Sequence, residues 1–288
     1  MTDAGGRLIV ALDYPEPEPA LELVRGLRGL GLGFKVGLEL FTAGGPRVVD
    51  AVRAEGGRVF LDLKFHDIGA TMEGACRAAA RLGVWMTDLH LAAGREGLRR
   101  GAAGAREEAA RRGETPPLLV GITVLTSLDE TALRDDLGVA RSLPGQVLAL
   151  ARLGKEAGLD GVVCSPLEVA ALKQALGAQL LAVTPGVRPA GGPALPKIGF
   201  ACVHSPVVVG EGKEQTSSVA PRTVAEPLTP SSPLRGSHAM GDDQRRAATP
   251  GEAVRRGADH LVVGRPVTRA DDPRRAVERI LAEMIMGR

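Results

Sequence analysis

The chain has 288 residues, of which 44% are hydrophobic, and its 36 basic and 34 acidic residues leave a formal net charge of +2. This length and apolar content suit one large α/β domain, or two smaller ones, with a substantial core. Because the charges nearly balance and no basic patch stands out, the composition argues against nucleic-acid binding and against attraction to a membrane surface.

The cysteines and the apolar stretches narrow the class of protein further. The three cysteines are widely separated and form no CxxC pair, so neither a disulfide framework nor a zinc site is indicated. No apolar stretch reaches about 18 residues, and the N-terminus lacks a basic region followed by a long apolar run. We therefore expect a soluble cytoplasmic protein that does not associate with membranes.

Short runs rich in Val, Ile and Leu alternate along the chain with longer segments of helical period. The predicted strands are residues 7–12, 33–37, 59–62, 86–90, 118–124, 161–164, 180–184 and 260–264, and predicted helices include 19–30, 46–55, 71–82 and 147–157. Strands that are apolar on both faces are typical of a parallel sheet covered by helices. Eight such units predict a (β/α)8 TIM barrel. An open doubly wound sheet is the alternative, but no GxGxxG follows the first strand.

Residues 190–239 interrupt this alternation. Seven of the chain's twenty prolines and six serines fall in this segment. Compact domains seldom carry a structureless loop longer than about 12–15 residues, so the segment is a mobile lid, an inserted segment or a disordered stretch. We predict a single barrel domain over residues 1–288, with 190–239 as a flexible Pro- and Ser-rich insertion in the loop after strand 7.

Charged residues cluster where the predicted strands end, which is where barrel enzymes carry their active sites. Asp62 and Lys64 lie two apart on the third strand and therefore project to the same side. Asp67 follows after a short turn, and Lys35 comes from the neighbouring strand. In this array each ammonium offsets the desolvation of the carboxylates beside it. Such an array can hold a proton donor against a carbon where negative charge develops; a surface run of salt bridges is the alternative for DxKxxD taken alone.

Two other strand ends carry glycine and arginine together. They are Gly186 with Arg188 after the seventh strand and Gly264 with Arg265 after the eighth. Barrel enzymes commonly bind phosphate on these two loops, using backbone N–H groups and an arginine. A turn glycine and a solvated arginine would explain either pair alone, but both together predict a phosphorylated substrate. No His, Asp and Glu set has metal-ligand spacing, and we interpret His66 and His90 as structural.

At these residues the chain resembles the bacterial orotidine 5′-phosphate decarboxylases over nearly its whole length, with residues 190–239 as the exception. The matching stretches are Ala11-Leu12-Asp13, Phe34-Lys35-Val36-Gly37, Phe60 through Ile68, Leu125-Thr126-Ser127, Thr184 through Arg188, Asp243-Gln244-Arg245 and Val262 through Arg265. The set is highly specific, whereas DxKxxD alone is shared with related sugar-phosphate decarboxylases.

The resemblance implies a homodimeric barrel that uses no metal or organic cofactor and converts orotidine 5′-phosphate to UMP and CO2 in pyrimidine biosynthesis. Lys64 would donate a proton to C6 of the pyrimidine, and Asp62 would lie near the departing carboxylate. Asp67 would reach in from the partner subunit, and Lys35 would complete the catalytic array. The implied substrate-binding residues are Asp13 and Lys35 at the ribose hydroxyls, Thr71 beside the ribose, Thr126 with Ser127 near the base, and Arg188, Gln244, Gly264 and Arg265 at the phosphate.

Two departures from the family pattern bear on these expectations. Gly69-Ala70 follows Ile68 where the family usually has Pro-Asn or a similar pair, so we expect a looser turn beside Asp67 and Thr71. Residues 190–239 lengthen the loop that should close over the phosphate. Two alternatives therefore stay open: a Mg²⁺-dependent sugar-phosphate decarboxylase of the same suprafamily, and a weakly active nucleotide-binding barrel whose insert binds a partner.

Overall fold

The computed structural model describes residues 4–189 and 246–287. In these residues eight parallel strands close into a barrel in sequence order, and β1 pairs with β8. The strands are β1 Leu8–Ala11, β2 Gly33–Gly37, β3 Arg58–Phe65, β4 Met86–His90, β5 Leu118–Ile122, β6 Gly161–Val163, β7 Leu181–Thr184 and β8 His260–Val263. The predicted (β/α)8 barrel with a long insertion after strand 7 is confirmed, and closure of the sheet excludes the open doubly wound alternative.

Helices follow the strands and cover the barrel. They are α1 Pro17–Gly26, α2 Leu38–Gly44, α3 Pro46–Ala54, α4 Gly69–Arg81, α5 Gly94–Arg112, α6 Glu130–Asp135, α7 Leu143–Glu156, α8 Val169–Leu176, α9 Pro250–Arg255, α10 Arg265–Thr268 and α11 Pro273–Met286. Predicted helix 19–30 is too long at its C-terminal end, because Gly29 and Gly31 adopt positive φ angles of 84° and 73° that end the helix. In the described part of the chain, no helix is long and apolar enough to cross a membrane.

Alternation along the strands divides the core into two layers. One cluster fills the barrel interior and comprises Ile9, Ala11, Phe60, Met86, Val120, Val183 and Val262. A larger cluster lies between the strands and the helices and includes Leu61 of β3. Each fully buried large apolar side chain contributes roughly 1.5–3 kcal/mol by leaving water. Because Phe60 points inward, the next inward position on β3 belongs to Asp62, above the apolar layers.

Aromatic rings pack where β3 and β8 begin. The Arg58 guanidinium lies 4.2 Å from the centroid of the Trp85 ring, and this ring meets His260 edge-on with centroids 5.1 Å apart. Nδ1 of His260 is buried and has no hydrogen-bond partner among the described residues. Burial lowers the pKa of His260 to about 4, because it disfavours the imidazolium form.

We therefore expect the free energy of unfolding to fall as the pH decreases from about 6.5 to about 4, because the unfolded imidazole binds a proton in this range and the folded one does not. The loss attributable to His260 is at most about 3 kcal/mol. Above pH 6.5 the imidazole is neutral in both the folded and the unfolded state, so His260 no longer makes the stability depend on pH. His260→Leu should flatten this part of the stability profile, measured by urea unfolding across the range. An unchanged slope in the variant would contradict the assignment.

Candidate active site

The strand registers bring the predicted charged residues to one end of the barrel. Lys35 of β2 pairs in register with Ala11 of β1, two residues before Asp13. Gly37 at the end of β2 pairs with Asp62 of β3. The carboxyl ends of the first three strands therefore present their polar side chains to a common space, at the face of the barrel where active sites lie.

An alternating chain of opposite charges joins these side chains. Lys35 Nζ lies 3.0 Å from Asp13 Oδ1 and 3.2 Å from Asp62 Oδ2, while the Lys64 ammonium donates to Asp62 Oδ1. Both oxygens of Asp62 are thus engaged by lysines. The Lys35 and Asp62 side chains are only 13% and 11% exposed, whereas Lys64 is 32% exposed and so remains open to a ligand.

The pKa shifts follow from burial and from this charge order. Burial alone would raise the pKa of Asp62, but the charges of Lys35 and Lys64, together with the neighbouring Asp88 carboxyl, outweigh it and hold the pKa below its usual value. Burial alone would lower the pKa of Lys35, yet Asp62 and Asp13 raise it above the ordinary value. Asp62 and Lys35 therefore both stay charged at neutral pH.

A bulge in β3 aims Lys64 at Asp62. Leu61 pairs with Thr87 of β4 and Phe65 pairs with Leu89, so three residues of β3 lie opposite Asp88 alone. Lys64 has a positive φ of 49°, a left-handed conformation that costs a non-glycine residue about 1–3 kcal/mol. The same-side projection predicted for a regular strand is therefore achieved through a strained bulge.

Asp88 is a site residue that the sequence reasoning missed. Its side chain is fully buried, and Oδ1 accepts a 2.8 Å hydrogen bond from the backbone N–H of Lys64. Burial raises the pKa of Asp88 well above its usual value, and the nearby Asp62 carboxylate raises it further. The available signal was an acidic residue in the middle of a predicted buried strand, where a charge is costly unless it is paired.

Asp67 does not join the charge chain of its own subunit. Its side chain is exposed, and Oδ1 accepts a 2.6 Å hydrogen bond from the N–H of Ile68. Among the described residues no ion pair links Asp67 to Lys35 or Lys64. The array predicted from the sequence therefore contains Asp13 in place of Asp67 within one subunit. Thr71 is exposed in the first turn of α4, on the same rim as Asp67.

Two glycines, which have no side chain, make room for the ion pair between Asp13 and Lys35. A Cβ on Gly37 would lie 3.0 Å from Lys35 Nζ, and a Cβ on Gly264 would lie 3.2 Å from Asp13 Oδ2. Larger residues at either position would press on the ion pair. Gly264 therefore has a steric role at the first strand end, in addition to its predicted role at the phosphate.

The predicted phosphate residues lie where the loops after β7 and β8 begin. Arg188 is half-buried, and its backbone N–H donates to Ala248 O at 3.0 Å. Arg265 is the first residue of α10 and follows Gly264 directly. Gln244 lies outside the described residues. The structure thus brings three of the four predicted phosphate residues to the loops after β7 and β8.

Residues 6–196 and 207–280 match the family described as orotidine 5′-phosphate decarboxylase / HUMPS. The chain belongs to this family. A protein of Moorella thermoacetica named orotidine 5′-phosphate decarboxylase is 44% identical over 283 residues, covering 98% of this chain and 94% of the relative. A protein of the same name from Halorhodospira halophila is 44% identical over 278 residues, covering 96% and 95%.

Solved structures agree with the family assignment. The crystal structure of orotidine 5′-phosphate decarboxylase from Lactobacillus acidophilus superposes with a TM-score of 0.72 and 30% sequence identity, covering 96% of this chain and 98% of that chain. The crystal structure of an uncharacterized conserved protein from Geobacillus kaustophilus gives a TM-score of 0.71 and 31% identity, covering 96% and 99%. The barrel and the family membership therefore rest on sequence and fold together.

The departure from the family pattern at Gly69 has a local steric reason. Gly69 begins α4, and its φ angle is not in the left-handed region. The N–H of Met72 donates to Ile68 O at 3.0 Å, so the helix continues directly from the turn. A Cβ on Gly69 would lie 2.8 Å from Arg100 Cδ. The glycine makes room for Arg100 rather than adopting a backbone conformation closed to other residues.

A buried ion pair supports the loop that carries the predicted base-contacting residues of the family. Thr126 is half-buried and Ser127 is exposed after β5. Arg246 donates to Leu125 O at 3.2 Å and forms an ion pair with Glu168; the two side chains are 14% and 11% exposed. Burial raises the pKa of Glu168 above its usual value, although Arg246 opposes this shift.

His66 and His90 have visible structural contacts. Their rings stack with centroids 5.0 Å apart and an interplanar angle of 11°, and His90 Nδ1 accepts a 3.3 Å hydrogen bond from the N–H of Ala92. Burial, followed by the neighbouring His66 and Lys64 charges, lowers the pKa of His90. These contacts fit the structural interpretation of both histidines.

Arg246→Met should lower the free energy of unfolding by about 3 kcal/mol, because Glu168 then remains buried without its cation. The double variant Arg246→Met/Glu168→Leu is the control, since removing both charges of a buried pair costs much less than removing one. Urea unfolding at neutral pH measures both. A double variant as unstable as the sum of the two single variants would show that the pair is not coupled.

Proposed function

We propose that the protein decarboxylates orotidine 5′-phosphate to UMP and CO2 in pyrimidine biosynthesis, as a carboxy-lyase. The observation that carries the proposal is the alternating chain of Asp13, Lys35, Asp62 and Lys64, in which one partly exposed ammonium is held by a buried carboxylate. The family membership and the names of the relatives support the same activity.

The reaction needs a fixed cation at the carbon that loses its carboxylate. When the bond from C6 to the carboxylate breaks, the electron pair stays on C6 and CO2 leaves. Lys64 then transfers an ammonium proton to C6 and recovers one from solvent. A cation already held in place by Asp62 stabilises the developing charge without reorganisation, which favours the transition state over the ground state.

Asp62 has a second role in this proposal. Its lowered pKa keeps it ionised, so the substrate carboxylate would lie near a negative group as it departs. The charge of the carboxylate disappears as CO2 forms, so the repulsion is relieved along the reaction. The two lysines offset the charge of Asp62, and for this reason the arrangement is tolerated in a buried site.

The substrate would be bound through its ribose, base and phosphate. Asp13 and Lys35 at the ends of the first two strands suit the ribose hydroxyls, while Thr71 follows β3 and Thr126 follows β5. The phosphate would be held by Arg188, Gln244, Gly264 and Arg265, with Ser127 beside Thr126. Binding energy from the remote phosphate can then be used to close the site around C6.

We propose a homodimer in which Asp67 of one subunit completes the site of the other. Asp67 and Thr71 are exposed on one rim, beside Ile68, whose surface is 73% exposed. An exposed isoleucine next to a carboxylate that forms no ion pair among the described residues suits a subunit interface that delivers the carboxylate to a neighbouring site. A single barrel domain and a cytoplasmic location are parts of the same proposal, whereas the predicted insertion over residues 190–239 lies outside the described residues.

The alternative with Mg²⁺ is less well supported. An acidic cluster that holds Mg²⁺ needs carboxylate oxygens free for the metal, whereas both Asp62 oxygens are engaged by lysines. In the part of the chain that the structure describes, no group of three or more His, Cys, Asp or Glu side chains could hold a metal ion. The other alternative, a weakly active nucleotide-binding barrel, would be supported if the assay below detected little turnover by the wild-type protein.

Lys64→Ala should lower kcat/KM for orotidine 5′-phosphate by at least about 10²-fold, because general acid catalysis by a positioned side chain contributes at least this much. The conversion is followed by the ultraviolet absorbance change from orotidine 5′-phosphate to UMP, and chelator should leave it unchanged. Arg47→Ala, which removes an exposed cation from α3, is the matched control and should keep full activity. Near-normal turnover by Lys64→Ala would exclude the proposed mechanism.

A shared site predicts that two inactive variants restore each other. Lys64→Ala and Asp67→Asn subunits, mixed and allowed to exchange, should regain about a quarter of wild-type activity, since half of the dimers are mixed and each contains one intact site. Each variant alone measures the background. If the mixture stays at that background although mass spectrometry detects mixed dimers, Asp67 acts within its own subunit; an active Asp67→Asn variant would instead show that Asp67 has no role.

A further inference from the structure

Asp88 is a buried acidic group that the proposed reaction does not yet use. Its side chain on β4 has no exposed surface, and Oδ1 accepts the Lys64 backbone N–H at 2.8 Å. Oδ2 is also buried, and as a carboxylate oxygen it has no hydrogen-bond partner in the described structure. Such an orphaned buried oxygen is costly unless it carries a proton and donates it.

The bulge explains why Lys64 depends on this side chain. Three residues of β3, Asp62 to Lys64, lie opposite Asp88 alone, so the backbone of Lys64 has no regular ladder partner on β4. The carboxyl of Asp88 supplies the missing acceptor. The preceding β4 residue acts similarly, because Thr87 Oγ1 donates to Leu61 O at 3.0 Å. Side chains of β4 therefore stabilise the bulge that carries the left-handed Lys64.

The charge balance of the site favours a neutral Asp88. Asp13 and Asp62 are already balanced by Lys35 and Lys64. A third ionised carboxylate beside Asp62 would leave one buried negative charge without a partner. Burial and the Asp62 carboxylate both raise the pKa of Asp88, and the opposing effect of Lys64 is smaller. A protonated Asp88 can accept at Oδ1 and donate from Oδ2.

We propose that Asp88 is a positioning residue that acts through two neighbours: Oδ1 holds the left-handed backbone of Lys64, and Oδ2 donates a hydrogen bond to Asp62. In this arrangement one neutral side chain fixes both members of the pair that faces C6. The inference rests on the proposed decarboxylation. It predicts that the group required at position 88 is a neutral donor and acceptor, not a negative charge.

Asp88→Asn and Asp88→Leu separate these requirements. Asparagine keeps an acceptor and a donor in the same shape, so kcat should stay close to the wild-type value. Leucine removes both, so kcat should fall by about 10²-fold, the cost of a misplacement near 1 Å. KM should change much less, because the predicted phosphate contacts lie at other strand ends. Asp50→Asn and Asp50→Leu, at an exposed site on α3, are the matched controls.

An infrared difference spectrum between the wild type and Asp88→Asn reports directly whether Asp88 is protonated. A merely structural role of Asp88 does not require this protonation, so the spectrum is an independent test. The wild type should show the C=O stretch of a protonated carboxylic acid, and Asp88→Asn should lack it. If Asp88→Leu fails to fold, the infrared band and the kcat of Asp88→Asn decide the question. A large loss of kcat in Asp88→Asn, an absent band, or normal kcat in folded Asp88→Leu would each overturn the proposal.

Failure of this inference can be distinguished from failure of the proposed function. Wild-type protein and Lys64→Ala are assayed in the same series with orotidine 5′-phosphate. No turnover by the wild type would refute the decarboxylation itself. Wild-type turnover that is lost in Lys64→Ala but kept in Asp88→Leu would leave the function standing and refute the positioning role.

Discussion

The engagement of one buried carboxylate by two lysines is the constraint on which the rest of the site depends. Asp62 is 11% exposed, and an ionised group at that depth needs compensation close by. Lys35 and Lys64 supply it from two adjacent strands, and Asp13 in turn balances Lys35. Removing any member would leave a neighbour with an uncompensated charge. The site is therefore a single electrostatic unit, and three of its four members, Lys35, Asp62 and Lys64, are held on barrel strands.

The backbone is strained where the chemistry requires it. The pairing of β3 with β4 is irregular between Leu61 and Phe65, where a bulge lies opposite Asp88. Lys64 lies in this bulge, and its ammonium contacts Asp62. Lys64 is the non-glycine residue with positive φ in the described structure, and buried β4 side chains satisfy the backbone groups that the bulge leaves unpaired. Strain of this kind persists only where the surroundings hold it, and such places cluster at functional sites.

Much of this arrangement could be predicted from the sequence, because it follows from periodicity and from charge in apolar surroundings. The strands 33–37 and 86–90 were predicted with the bounds observed, and Lys35, Asp62 and Lys64 were predicted to meet. Asp88 was missed because only the fold shows which β4 residue lies opposite the bulge. Arg246 and Glu168 were missed because they are 78 residues apart and meet only in three dimensions. Asp67 was grouped with the array on sequence proximity, yet in one subunit its carboxylate bonds to the backbone of Ile68.

The ends of the long segment after β7 are held by the barrel. Val187 and Ala248 form a parallel bridge, and hydrogen bonds join Arg188 N–H to Ala248 O and Ala248 N–H to Gly186 O. Arg246 adds the ion pair with Glu168 on the neighbouring loop. Because the cost of closing a loop grows by only about 0.6 kcal/mol per doubling of its length, the barrel tolerates many added residues between such fixed ends. The added length therefore joins the barrel after β7, beside the predicted phosphate residue Arg188, whereas Lys35, Asp62 and Lys64 lie on β2 and β3.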